Sequence, residues 1–310
     1  SVFTSTTSSS VTFSGTSRRY NFCSGTKWYP LFDYSGSGTL QINGFGDPLL
    51  YGNEVRRMFN VSGGGTLDIA GVTLADGYAA ANGGAISCSS GTVLLEDVSV
   101  TGARADRSGA GLYGDDCSLV LNNVAFDAGY AGDNGGAIAC DGGSLTMANA
   151  ALDGNEAGNA GGALYLLDCA ADITDTDATA GRADFGGSVY AQRSSTATLA
   201  QLNWTTGTLS DGVAQIGGGV YLAGSAAYPL EVRLDGVTVS TSQASNYGGG
   251  FYLSGVELEL VSSEVLNNAA TYGGGGGFSD MSSVNMDSSL FDGNNVVFQV
   301  GGGMLINNSN

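Results

Sequence analysis

Residues 83–86 read Gly83-Gly84-Ala85-Ile86, and this pattern of small residues followed by an apolar one returns along the rest of the chain. The nine copies begin at Gly83, Gly109, Gly135, Gly161, Gly186, Gly217, Gly248, Gly275 and Gly301. They are separated by 26, 26, 26, 25, 31, 31, 27 and 26 residues. A period this regular indicates a repeat protein in which each repeat packs on its two neighbours.

Each period also contains short runs of alternating apolar residues, such as Leu119-Val120-Leu121 followed by Val124-Ala125-Phe126. Alternation with period two is typical of strands, and no long segment has helical periodicity. A parallel β-helix accounts for the fixed period, because one period makes one coil and equivalent positions stack about 4.8 Å apart. The sequence therefore predicts an all-β fold: a right-handed, three-faced parallel β-helix solenoid of about ten coils of about 26 residues.

Two parts of the chain depart from the period. Residues 1–35 begin with a Ser/Thr-rich stretch and continue with aromatic residues, among them Tyr20, Phe22, Trp28 and Tyr29. We expect an N-terminal cap over the first coil, with a ligand-binding aromatic patch as the alternative. Residues 36–310 form the expected β-helix, whose C-terminal coil has no recognisable cap. The two 31-residue periods hold extra residues, which we expect in turns around 205–213 and 223–228.

Composition excludes several classes of function. The chain of 310 residues has 52 Gly, 29 Asp plus Glu, 10 Lys plus Arg and no His, with a formal net charge of -19. Without His, a Ser-His-Asp triad, a Cys-His nucleophile and a His-ligated metal site are impossible. The negative charge opposes nucleic-acid binding, and no apolar run approaches the roughly 18 residues of a membrane span.

The repeats resemble those of chlamydial polymorphic outer membrane proteins, which combine Gly-Gly-Ala-Ile with a Phe-x-x-Asn motif shortly before it. Here Phe291-Asp292-Gly293-Asn294 precedes Gly301, and Leu152-Asp153-Gly154-Asn155 precedes Gly161. The resemblance covers about residues 66–310. It implies a pectin-lyase-like, secreted β-helical passenger domain, often adhesive. We carry over the fold and not the bacterial role.

The cysteines occupy repeat positions. Cys88 and Cys140 follow the first Gly of their repeats by five residues, and Cys117 and Cys169 follow theirs by eight. We predict disulfides Cys88–Cys117 and Cys140–Cys169, because stacked coils bring Cα atoms within the roughly 4.4–6.8 Å that a disulfide needs. The competing pair is Cys117–Cys140, and buried free thiols are the other alternative. Cys23 is left over and indicates an intermolecular bond or a partner outside the chain.

Three Asn-x-Ser/Thr sequons begin at Asn60, Asn203 and Asn307. Chance supplies one or two in a chain this rich in Asn, Ser and Thr, so they gain weight only together with the predicted disulfides. The combination predicts an extracellular protein, secreted or at the cell surface, with N-linked glycans as candidates at these positions.

Tyrosines recur four residues after the first Gly-position of several repeats, at Tyr113, Tyr165, Tyr190, Tyr221 and Tyr252. Since the preceding apolar residue is expected to point inward, alternation along the strand sends these tyrosines outward. This stripe is a candidate surface for sugar stacking or for lateral contact with another molecule. The alternative is that stacked tyrosines only stabilise the sheet.

Carboxylates cluster at Asp115-Asp116 and at Asp168, Asp172, Asp175 and Asp177. Paired Asp residues serve as acid and base in glycoside hydrolysis, so Asp115 and Asp116 are the catalytic candidates of an enzymatic alternative. The Gly-His-Gly and Arg-x-Lys elements of β-helix hydrolases cannot be present here. We expect no cofactor and no metal; Ca²⁺ at an acidic turn is the alternative, since hard oxygen ligands are available.

The sequence therefore predicts a non-catalytic extracellular structural glycoprotein, a β-helical building block of a surface layer, filament or adhesive coat. The alternatives are a pectin-lyase-like enzyme acting on polysaccharide and a glycan-binding module. Expected partners are further copies stacked end to end, other surface proteins or glycans, and not nucleic acid. End-to-end association follows from the exposed strand edge at each end of a solenoid.

Overall fold

Every regular element of the described chain is a β-strand, and the strand pairs are parallel. The computed structural model describes residues 3–5, 7, 9–14, 19–21, 30–194, 200–225, 227–298 and 301–308, with backbone alone for 3–5, 14 and 19–21. It contains no helix that could cross a membrane in these ranges.

The strands are short and closely spaced along the chain. In chain order they are β1 (Phe3–Ser5), β2 (Ser9–Ser14), β3 (Arg19–Asn21), β4 (Phe32–Tyr34), β5 (Thr39–Phe45), β6 (Leu49–Tyr51), β7 (Phe59–Val61), β8 (Thr66–Ala75), β9 (Tyr78–Ala79), β10 (Ile86–Ser89), β11 (Thr92–Thr101), β12 (Arg104–Ala105), β13 (Leu112–Asp115), β14 (Ser118–Asp127), β15 (Tyr130–Ala131), β16 (Ile138–Asp141), β17 (Ser144–Asp153), β18 (Glu156–Ala157), β19 (Leu164–Leu167), β20 (Ala170–Thr179), β21 (Val189–Gln192), β22 (Gln201–Ser210), β23 (Val213–Ala214), β24 (Val220–Ala223), β25 (Leu230–Ser240), β26 (Gln243–Ala244), β27 (Phe251–Ser254), β28 (Val256–Val261), β29 (Glu264–Leu266), β30 (Ala269–Ala270), β31 (Gly277–Asp280), β32 (Ser283–Asp287), β33 (Leu290–Asp292), β34 (Asn295–Val296) and β35 (Met304–Asn307).

The strands stack into sheets that run the length of the molecule. A first sheet has the order β1-β4-β7-β10-β13-β16-β19-β21-β24-β27-β31-β35, and a second follows β2-β5-β8-β11-β14-β17-β20-β22-β25-β28-β32. Two short sheets, β18-β15-β12-β9 and β23-β26-β30-β34, close the coil. Successive coils add strands to both long sheets, and each short sheet takes strands from four coils, so the chain forms a parallel β-solenoid of about ten coils.

The register between coils equals the sequence period. Val93 pairs with Leu119, and Leu119 pairs with Leu145, at 26-residue offsets. The predicted all-β parallel solenoid with about 26 residues per coil is confirmed. Its right-handedness stays a prediction. Phe22, Trp28 and Tyr29 of the expected N-terminal aromatic cap lie outside the described residues, and the cap stays a prediction.

The ten-residue strands of the second sheet bend at their centre. Asp97, Asn123, Asn149 and Asp175 occupy this position on four consecutive coils, each with a positive φ between 47° and 54°. Asn and Asp tolerate the left-handed region better than other residues with a Cβ, which explains their recurrence there. The bend turns one long strand into two faces of the coil, with buried apolar residues on either side of it.

The glycine pair forms the tight corner before the first sheet. Gly135 has φ +64°, and a Cβ on Gly136 would lie 2.1 Å from the carbonyl oxygen of Gly162 in the next coil. The first glycine therefore supplies a left-handed conformation, and the second allows the backbones of two coils to approach each other. This double requirement explains why the pair recurs in most coils; in the repeat that begins at Gly109, Ala110 takes the second position.

Two details of the expected register were wrong. One set of extra residues lies between Gln192, which ends β21, and Gln201, which begins β22, rather than around 205–213, which is largely strand. The other set, between β24 and β25, was located correctly. The eighth repeat begins at Gly274, with φ +65°, and not at Gly275, because Phe251 pairs with Gly277. A run of five glycines hides this one-residue shift from the sequence pattern.

Buried asparagines explain the motif that precedes the glycine pair. Asn268 is fully buried; its Nδ2 donates to Val239 O (2.9 Å) and its Oδ1 accepts from Ser242 N (2.9 Å) in the preceding coil. Asn155 makes equivalent bonds to Phe126 O and Gly129 N, both 2.9 Å. Each amide thus satisfies one carbonyl and one N–H of a turn that the sheets leave unpaired.

The predicted disulfides are both formed. Cys88–Cys117 and Cys140–Cys169 have Cα separations of 6.3 and 6.0 Å, and each joins two neighbouring coils. All four cysteines are buried. Two cysteine pairs at bonding distance indicate an oxidising, non-cytosolic compartment.

Replacing Asn268 by Ala should lower the free energy of unfolding by about 2–4 kcal/mol, since a buried carbonyl and a buried N–H lose their partner. Asn295→Ala is the control, because Asn295 is exposed, and its effect should stay within about 0.5 kcal/mol. Urea unfolding of the three proteins measures both values. Equal midpoints for the two variants would show that the buried amide is dispensable.

Opening the Cys88–Cys117 bond should cost about 2–4 kcal/mol, because the bond closes a loop whose ends are 29 residues apart. The double variant Cys88→Ala/Cys117→Ala tests this by urea unfolding with and without reductant. Reductant should destabilise the wild type more than the variant, which retains one disulfide. The same response in both proteins would contradict the assignment.

Candidate functional site

The first sheet carries an aromatic column on its outer side. Tyr165 pairs with Tyr190, Tyr190 with Tyr221, and Tyr221 with Tyr252 on consecutive coils. The inward neighbours on these strands are buried, whereas the tyrosines are half-buried. The predicted outward orientation of these four tyrosines is confirmed by this alternation. Tyr113 occupies the same column two coils earlier, but Ala139 separates it from Tyr165.

The rings form a continuous stack. Centroids of successive rings from Tyr165 to Tyr252 lie 5.3, 5.0 and 4.9 Å apart, with interplanar angles of 8–14°. Phe278 adds a fifth ring, 5.2 Å from Tyr252. We call Tyr165, Tyr190, Tyr221, Tyr252 and Phe278 the aromatic ladder. The spacing equals the distance between neighbouring strands, so the ladder is imposed by the coil register.

Ring stacking determines which parts of the ladder tyrosines a ligand can contact. Both faces of Tyr190 and Tyr221 are occupied by neighbouring rings, so these tyrosines present their edges and hydroxyls outward. Sugar stacking on their faces, as the sequence suggested, is not available. The ladder stabilises the sheet and at the same time exposes a row of phenol edges.

Burial also changes the acidity of the ladder. It raises the pKa of Tyr165, Tyr190 and Tyr221 to about 12; carboxylates add to the effect for Tyr165, and neighbouring ladder phenols add to it for Tyr190 and Tyr221. For Tyr165 the main such group is Asp141. Because burial disfavours the phenolate, the hydroxyls stay protonated at neutral pH and act as neutral hydrogen-bonding groups.

A second set of aromatic rings lies beside the ladder. Phe185 meets Tyr221 edge-on with centroids 5.6 Å apart, and Tyr247 lies 5.1 Å from Phe278. Tyr272 and Phe298 extend this set, with centroids 6.3 Å apart. We call the ladder together with Phe185, Tyr247, Tyr272 and Phe298 the aromatic face.

Sequence analysis missed the second set and Phe278. Phe185 and Tyr247 each directly precede a repeat's first glycine, and both make bridges to that position in a neighbouring coil. An aromatic residue at this position was therefore the available signal. Phe278 was misplaced by the one-residue shift in the five-glycine run.

A cleft of about 290 Å³ opens between the ladder and the corner that precedes the glycine pair. Its lining includes Asn159, Phe185 and Gln192 together with the tyrosines Tyr165, Tyr190 and Tyr221. Tyr190 OH donates to Gln192 Oε1 (2.7 Å), which fixes the orientation of that amide. The cleft thus combines aromatic edges, one further aromatic ring and two side-chain amides.

The candidate carboxylate Asp115 is the last residue of β13 and Asp116 follows it, and both are exposed. Asp115 pairs in register with Asp141 on the next coil. The pKa of Asp141 is raised, first by burial and then by the charges of Asp115, Asp116 and Asp168. The structure therefore brings four carboxylates to one corner, two of which the sequence had singled out as catalytic candidates.

The other members of the predicted carboxylate cluster, Asp172, Asp175 and Asp177, form hydrogen bonds between coils. Asp172 accepts from Asn203 Nδ2 (2.8 Å), Asp175 accepts from Thr206 Oγ1, and Asp177 accepts from Thr208 N (2.7 Å). Within the described ranges, no three His, Cys, Asp or Glu side chains are grouped so that they could hold a metal ion.

The sequon asparagines also lie in strands and bond to carboxylates of the preceding coil. Asn60 Nδ2 donates to Asp33 (2.8 Å), Asn203 to Asp172 (2.8 Å) and Asn307 to Asp280 (3.1 Å). Asn60 and Asn203 are half-buried, whereas Asn307 is exposed. Their glycosylation stays a prediction, and Cys23 lies outside the described residues.

No protein-family model, curated protein or solved structure matches this chain. The class of protein is therefore given by the structure alone: a parallel β-solenoid with an outward aromatic face. The likeness to the chlamydial repeats remains one of short motifs.

The ladder predicts an unusual alkaline titration. Tyr165, Tyr190 and Tyr221 should form phenolates near pH 12 in the folded protein, against about 10 in the unfolded chain. Since the folded pKa is the higher one, the stabilisation is present below pH 10 and is lost as the pH rises toward 12. Phenolate absorbance measures this, and Tyr190→Phe should remove one late-titrating group. Titration of all phenols near pH 10 in the folded protein would contradict it.

Proposed function

We propose that this chain is a non-catalytic extracellular structural protein, a β-solenoid building block of a surface layer, filament or adhesive coat. The observation that carries the proposal is the aromatic face. Within it Tyr272 is 40% exposed and Phe298 is 73% exposed, whereas Phe59, Phe126 and Trp204 are buried in the core. Contiguous exposed rings of this kind are typical of contact surfaces.

Rigidity supports the same role. Backbone hydrogen bonds join each coil to the next, and two disulfides reinforce the coils between Cys88 and Cys169. A stiff scaffold holds the rings of the aromatic face at fixed spacing, so little conformational entropy is lost when the face is covered.

The net charge of -19 sets the conditions for assembly. Two copies of this chain repel each other at low ionic strength, and salt screens that repulsion over about 10 Å at 0.1 M. Contact through an uncharged aromatic face is therefore favoured by salt. We propose a second copy as the partner; other surface proteins and end-to-end stacking stay predictions.

The enzymatic alternative rests on Asp115 and Asp116. Both are exposed, and Asp141 with its raised pKa lies beside them. The glycan-binding alternative has a more specific observation in its favour, the cleft beside Tyr190.

The assembly proposal predicts that the double variant Tyr272→Ser/Phe298→Ser remains monomeric under conditions in which the wild type associates. Sedimentation velocity at increasing salt measures this, with electron microscopy to identify filaments or sheets. Tyr130→Ser is the matched control, because Tyr130 is 38% exposed but stacks with Arg104 on another sheet. A wild type that stays monomeric at every salt concentration, or a double variant that assembles normally, would refute the proposal.

A further inference from the structure

The cleft beside the ladder has one apolar wall and otherwise uncharged polar groups. Phe185 supplies the apolar side and meets Tyr221 edge-on, with ring centroids 5.6 Å apart, and Tyr165 and Tyr190 also line the cleft. With a volume of about 290 Å³ it is at the small end of ligand pockets, which begin at about 300 Å³. Its size suits a single ring rather than a folded partner.

Several hydrogen-bonding groups in the cleft have unused capacity. Gln192 Oε1 accepts from Tyr190, whereas Gln192 Nε2 has no partner in the described part of the chain. Asn159 Nδ2 donates to Asn134 Oδ1 (2.8 Å), and the side-chain oxygen Oδ1 of Asn159 is left as an acceptor. The cleft thus presents an amide donor, an amide acceptor and phenol hydroxyls that can do both.

This combination matches a sugar ring. A pyranose has a C–H-rich side that packs against an aromatic ring and hydroxyl groups that both donate and accept hydrogen bonds. Because Tyr190 and Tyr221 are stacked on both faces, Phe185 is the ring outside the ladder that lines the cleft for such packing, and the tyrosines contribute through their hydroxyls.

The charges in and around the cleft indicate which class of sugar it can bind. None of the cleft's lining residues is charged, and the negative charges of Asp141 and Asp168 reach Tyr165, where they raise its pKa. An anionic sugar would be repelled here and would find no cationic side chain to pair with. A neutral sugar avoids this cost.

We infer that the cleft between Phe185 and the Tyr165–Tyr190–Tyr221 edges binds one residue of a neutral glycan, with Gln192 and Asn159 as its hydrogen-bonding amides. Uronates and sulfated sugars are excluded from the site by charge. The cleft and the Tyr272–Phe298 part of the aromatic face share no residue, so separate variants test the two proposals.

The test is affinity electrophoresis of the protein in gels containing neutral polysaccharides (glucan, xylan, mannan and galactan, separately) or polygalacturonate. We expect retardation by at least one neutral polysaccharide and none by polygalacturonate. Phe185→Ala and Gln192→Ala should each weaken that retardation about tenfold, through loss of the apolar wall and of the amide donor respectively.

Two controls separate binding from folding and from assembly. Urea unfolding shows whether each variant is folded, and Gln192→Ala, whose side chain is not part of the core, keeps the test valid if Phe185→Ala fails to fold. Tyr272→Ser/Phe298→Ser should bind glycan normally even where it no longer assembles. Absence of retardation by every neutral polysaccharide, retardation by polygalacturonate alone, or wild-type binding by Gln192→Ala would overturn the inference.

Discussion

The hydrogen-bonded register between coils is the constraint on which the rest of this molecule depends. Equivalent residues 26 positions apart lie on neighbouring strands, about 4.8 Å from one another. Any residue type that recurs at one position of the repeat is therefore converted into a column. The glycine corners, the left-handed bends at Asn123 and Asn149 and the aromatic ladder are all such columns.

The same constraint separates structural columns from candidate binding surfaces. Inward columns are filled by apolar side chains, and buried amides such as Asn155 and Asn268 satisfy the turns that the sheets leave unpaired. Side chains in outward columns are not constrained by packing in the core. In the C-terminal half of the solenoid one of them became aromatic, which stabilises the stack and also produces a half-buried surface with exposed hydroxyls.

For the aromatic ladder, the sequence predicted the positions of the tyrosines correctly but not which parts of their rings a ligand could contact. The sequence placed Tyr165, Tyr190, Tyr221 and Tyr252 outward at one repeat position, and the structure agrees. It suggested sugar stacking on their faces, which the 5 Å ring spacing prevents for Tyr190, Tyr221 and Tyr252. The proposed ligand contact is instead at the ring edges and at Phe185, a residue that the repeat pattern did not single out.

The sequence by itself determined the solenoid, its period and the outward tyrosines, because each depends on local alternation and on constant spacing. It predicted the two disulfides but left Cys117–Cys140 open, and the structure decided between them. Only the tertiary structure decided the one-residue shift at Gly274, the location of the extra residues after Gln192 and the cleft at Phe185. These features depend on which residues of different coils come into contact at a corner. Glycine runs and inserted turns change that geometry without leaving any periodic signal in the chain.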